Sequence, residues 1–139
     1  MLPALWAGVL LSIAAIAAPA AFGVLPRADA GRVVSHIFVV EAWTSLALAG
    51  VLLGLQFGRH AVERKPVRTE RTLLWGAIGC TLLGYFVLQP LMSAARAGHG
   101  AIGFGQLHLI STAFYALKTA LVLWLAWRAA AALSRPPSS

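Results

Sequence analysis

The sequence predicts an all-α polytopic membrane protein, an up-down bundle of four transmembrane helices, and three observations carry that expectation. Of the 139 residues, 60% are hydrophobic and only 11% are charged, with a mean hydropathy of +0.81. A soluble domain keeps about a quarter of its residues charged because water wets it on every side. The apolar residues gather into four runs, 2–25, 33–57, 73–91 and 102–127. At about 1.5 Å per residue each is long enough to cross roughly 30 Å of hydrocarbon as a helix. The runs lack the alternation of barrel strands, and a lone strand in lipid could not satisfy its own backbone.

The first run has no charged side chain, and Ala18-Pro19-Ala20 has the small-residue look of a signal cleavage site. No Lys or Arg precedes Arg27, however, and the run is about twice the usual signal core, so a retained span is expected. Pro26 closes it, and Asp29 is placed to cap the start of span two ahead of Arg32. Span two carries His36 and Glu41, then Gly50 and Gly54 at the four-residue spacing that lets helices approach closely in lipid. A charged segment follows, from Gly58 to Thr72. Span three repeats small residues at Gly76, Cys80 and Gly84; Cys80 is the single cysteine and has no partner for a disulfide within the chain. Ala97-Gly98-His99-Gly100 marks the loop into span four, which carries His108 and Lys118. The tail 134–139 is expected to be disordered, and residues 1–139 to form one transmembrane domain.

Basic residues set the expected orientation. Arg59, Arg64, Lys65, Arg68, Arg71, Arg128 and Arg135 fall on the side of the two termini, and Arg27, Arg32 and Arg96 on the other. The positive-inside rule then places the protein in the cell (inner) membrane with both termini cytoplasmic. Trp6, Trp75, Trp124 and Trp127 collect at the same end, where interfacial aromatics belong, and Trp43 is the exception. A net charge of +7 reads as this topology signal plus contact with anionic lipid. The expected partner is the lipid bilayer, with other membrane subunits as a further option; nucleic acid is not expected, because the charges flank spans.

Counted from the start of each apolar run, His36 and His108 fall at similar depth on the side opposite the termini. Spans two and four are diagonal in an up-down bundle, so both rings could face its axis. Span four continues as a polar stripe, His108, Ser111, Thr112, Tyr115 and Thr119, at helical spacing. The plain reading is a structural hydrogen-bond cluster. The alternatives are a haem b or transition-metal site with His36 and His108 as ligands, or an ion or small-molecule path. Two histidines alone are a weak metal signal, with no Cys-x-x-Cys-His and no carboxylate at ligand spacing. Glu41 and Lys118 would each cost about 2.5 to 3.5 kcal/mol unpaired at a helix centre, so an intramembrane charged pair is expected. Hydroxyls such as Thr44, Ser45 and Tyr115 are the other partners on offer to Glu41. Phosphate loops, nucleophile elbows, HExxH and paired carboxylates do not occur, so no enzyme is expected.

LPRADAGRVVSHIF (25–38) and GFGQLHLISTAFY (103–115) resemble a family of small four-span membrane proteins of unknown function that includes the eukaryotic transmembrane protein 205. The matching features are the Pro-Arg turn, the Ala-Gly-Arg and its following Phe, and Phe-Gly-x-x-His opening the last span. Many relatives carry a proline or arginine after the Phe of span two, where this chain has Val39-Val40-Glu41. The resemblance implies the four-span layout and no particular activity. The leading expectation is a non-enzymatic accessory or scaffold subunit, or a component of a transport assembly.

Overall fold

A computed structural model describes residues 1–63, 68–99 and 102–134. Arg64, Lys65 and the tail from Arg135 onward, including most of the segment expected to be disordered, lie outside the described residues. Four helices account for nearly all of the described residues: α1 (Leu2–Val24), α2 (Arg27–Glu63), α3 (Arg68–Arg96) and α4 (Phe104–Leu133). Each is long and apolar enough to cross a membrane, and no strand occurs among the described residues. The protein is a multi-pass helical membrane protein.

The surface is inverted relative to a soluble fold. Large apolar side chains such as Ile16, Leu109 and Trp127 are about two-thirds exposed, while Glu41, Ser45, Thr81 and Lys118 are buried. Lipid is as apolar as leucine, so a helix gains nothing by hiding its outer face and much by turning polar groups inward.

α1 packs against α2 and α4, and α3 packs against the same two, so α2 and α4 face each other across the bundle. At the end of the termini one core joins all four helices: Trp6 and Leu10 of α1, Ala49 of α2, Leu74 and Ala77 of α3, and Val122 of α4. Toward the other end that core divides. Ala21, Ala30 and Val34 pack α1 on α2, while Leu88, Met92 and Leu107 pack α3 on α4. The bundle is thus closed at one end and split into two helix pairs at the other.

Two prolines mark the split. α1 widens into a π turn at Ile13–Ala17 and α3 at Leu83–Val87, with Ala18 N–H bonded to Ile13 C=O and Leu88 N–H to Leu83 C=O. Each widened turn contains the residue four before a proline, Ala15 before Pro19 and Phe86 before Pro90. A proline has no N–H to offer that carbonyl, and its ring collides with it; widening the turn relieves the collision. Replacing Pro90 by Ala is expected to stabilise the protein by roughly 1 to 3 kcal/mol while straightening α3. Thermal unfolding in lipid nanodiscs checks this, and an unchanged midpoint contradicts it.

The ends of the helices correct several sequence expectations. α2 begins at Arg27, and the N–H groups of Asp29 and Ala30 bond back to Pro26 C=O. Asp29 therefore sits inside the first turn and pairs with Arg32 instead of capping the helix. Its charge still suits the positive helix N-terminus. α3 ends in a Schellman motif: Gly98 has φ +77°, and the N–H of His99 reaches Ala94 C=O at 2.9 Å. Trp6 is not an interfacial tryptophan, being 1% exposed in the core, whereas Trp75, Trp124 and Trp127 are exposed as expected. Gly50 and Gly54 open outward, and a Cβ at either would meet nothing within 4 Å. The close approach is at Gly76, where a Cβ would lie 3.0 Å from Leu121 Cδ1.

Candidate functional site: a charged floor beneath an intramembrane cavity

The split end of the bundle encloses a cavity of about 400 Å³ lined from all four helices. Its inner end is formed by Glu41 and Lys118. Lys118 Nζ donates to both carboxylate oxygens of Glu41, at 2.7 and 2.8 Å, and each side chain is only 4% exposed. Ser45 Oγ, one turn along α2, donates to Glu41 Oε1 and accepts from Trp6 Nε1 at 2.9 Å. Tyr115 donates its phenol proton to Leu10 C=O at 2.8 Å, and its ring lies 5.1 Å beneath the Lys118 ammonium. Phe38 meets the edge of the same ring at 5.3 Å. One connected network therefore ties α1, α2 and α4 together where hydrocarbon would penalise a free charge.

α2 and α4 place the pair by helix length. Glu41 is fourteen residues from Arg27, and Lys118 is fourteen from Phe104. At 1.5 Å per residue both lie about 21 Å along their helices, level with each other. The same counting separates the histidines, nine residues into α2 for His36 and four into α4 for His108, about 14 and 6 Å. The similar depth expected of them does not hold, because α2 starts six residues before its apolar run. His108 lines the cavity and stacks on Phe104, ring centroids 5.9 Å apart. His36 is exposed and is not among the lining residues. The described residues contain no group of three or more His, Cys, Asp or Glu that could hold a metal.

Of the polar stripe, Ser111, Thr112 and Tyr115 line the cavity, and Thr119 does not. Thr112 and Thr119 return their hydroxyl protons to their own helix, to His108 C=O and Tyr115 C=O. Thr44 does the same toward Val40 C=O, leaving Ser45 as the hydroxyl on Glu41. Two further residues complete the wall. Gln89 Nε2 donates to Ser35 Oγ at 3.3 Å, joining α3 to α2, and Cys80 lines the cavity.

The mouth lies where α1 meets α2 and α3 meets α4. A second hollow there shares Phe22, Gly31, Arg96 and Phe104 with the cavity and adds Arg27 and Arg32. The Arg96 guanidinium lies 4.7 Å over the Phe104 ring. The site is a mostly apolar well with a cationic rim and a neutralised ionic floor, the general form of a small-molecule pocket.

A family model described as a domain of unknown function (DUF4149) matches residues 1–101. The chain belongs to this family. The DUF4149 match covers α1 to α3 and the Arg27–Phe38 stretch, and it ends before Lys118 and the rest of α4. No curated protein and no solved structure matches the chain.

Proposed function

We propose that this small membrane protein is non-enzymatic and holds a small molecule inside the bilayer as a component of a transport assembly. The observation that carries this reading is the cavity between the two helix pairs, floored by Glu41 and Lys118. Ionisable groups turned into a bundle interior commonly mark ion or substrate pathways. A scaffold alone would pack that volume with side chains, as the other end of the bundle does. The pair satisfies itself, which suits holding a ligand rather than attacking one. The charge pattern supports both termini in the cytoplasm, with the cavity mouth on the far face of the inner membrane. Arg59, Arg68, Arg71 and Arg128 lie toward the termini, against Arg27, Arg32 and Arg96 at the mouth. The motifs at 25–38 and 103–115 also favour kinship with the eukaryotic transmembrane protein 205; the second lies beyond the family match.

The test is native mass spectrometry of the tagged protein released gently from its own membranes. The wild type is expected to retain a small molecule, and Ser111→Phe, which fills the cavity, is expected to lose it. A wild-type protein that emerges empty, with a spectrum identical to that of Ser111→Phe, contradicts the reading.

A further inference from the structure

We propose that the cavity takes a single-chain amphiphile with an anionic head, the head held by Arg27 and Arg96 and the chain lying between the helix pairs toward Tyr115. This names the ligand class for the function proposed above and rests on it. The well and its rim have opposite character. The walls combine nine Ala, Val, Phe and Met side chains with six that carry hydroxyls and with Gln89 and His108. The hollow at the mouth is lined by three arginines and no acid, and nearby Asp29 is engaged with Arg32. Arg27 and Arg96 make no ion pair among the described residues. A cation–π contact holds the Arg96 guanidinium, a planar fork that matches carboxylate and phosphate oxygens, over the Phe104 ring. A cationic amphiphile would meet repulsion at that rim. A compact inorganic anion would leave the apolar walls unfilled. From the rim at Gly31 to Glu41 the well runs ten residues of α2, about 15 Å, so it suits a chain and not a head alone.

Two sources could supply such a ligand, a free long-chain carboxylate or one acyl chain of an anionic phospholipid, and both present the same chemistry to the site. The single cysteine provides the reporter, because Cys80 lines the inner part of the well. The experiment follows modification of Cys80 by methyl methanethiosulfonate in phosphatidylcholine nanodiscs, with laurate, dodecylamine or dodecanol added, and in nanodiscs containing phosphatidylglycerol. Laurate is expected to slow modification at least about tenfold more than the amine or the alcohol, the discrimination one charge-assisted contact supplies. Protection by phosphatidylglycerol without added laurate identifies the lipid as the source; protection by laurate alone identifies the free carboxylate. Arg27→Gln/Arg96→Gln is expected to abolish protection, and Arg68→Gln/Arg71→Gln, which removes as much charge at the opposite end, to retain it. Equal protection by dodecylamine or dodecanol overturns the ligand class while leaving the ligand-holding reading standing. Full protection in Arg27→Gln/Arg96→Gln likewise overturns the class. A thiol that reacts only after denaturation, in protein that native mass spectrometry shows to be empty, overturns both, since the well is then closed to any ligand.

Discussion

Glu41→Gln and Lys118→Met are each expected to destabilise the protein by about 3 to 5 kcal/mol, because each leaves one buried charge without its partner. The double replacement Glu41→Leu/Lys118→Met is expected to recover most of that loss. Two apolar side chains of similar volume need no solvation, and replacing a buried pair outright is often neutral. The interaction therefore appears as strong non-additivity, a coupling well above the few tenths of a kcal/mol seen between independent sites. Equilibrium unfolding in mixed micelles measures all four proteins on one scale. Single losses below about 1 kcal/mol, the size expected of exposed ion pairs, would place the two groups in water.

Trp6→Ala is the second large effect, at roughly 3 to 5 kcal/mol, the usual loss for truncating a fully buried tryptophan. The indole fills the space where α1, α2, α3 and α4 converge, and it also holds Ser45 on Glu41. Trp6→Phe separates the two contributions. It keeps most of the volume and removes the N–H donor, so a loss of about 1 to 2 kcal/mol is expected. The same unfolding measurement reads both variants. If Trp6→Ala costs no more than Trp6→Phe, the side chain is at the headgroup level and not in the core.

Composition and the four apolar runs together make the helical, four-span character legible, because lipid is the solvent that suits so much apolar surface with so few charges. The site is legible in part. Two opposite charges in apolar runs point to a pair, and Glu41 with Lys118 fits that logic. Its geometry is hidden because depth counting needs the true first residue of each helix. Apolar runs mark where lipid begins, not where hydrogen bonding begins. Arg27 to Arg32 is polar yet helical, since Pro26 supplies the carbonyl that accepts the first bonds. That six-residue extension brings Glu41 level with Lys118 and moves His36 away from the level of His108. The cavity had a sequence signal in Pro19 and Pro90, each inside an apolar run, where a missing N–H must be accommodated. Trp6 had none, because a tryptophan near a helix end looks the same at a headgroup and in a core.

The central claim is that Glu41 and Lys118 are in direct contact across the bundle within the membrane. Lys118 and Lys65 are the chain's two lysines, so Lys65→Met leaves one lysine signal. Solid-state NMR in lipid bilayers, with ¹⁵N-lysine and ¹³C-glutamate labelling, then measures the dipolar coupling from Lys118 Nζ to the glutamate carboxyl carbons. Strong dephasing to one carboxyl, lost in Glu41→Gln labelled the same way, is the predicted result. A lysine signal that shows no coupling to any glutamate carboxyl contradicts the account.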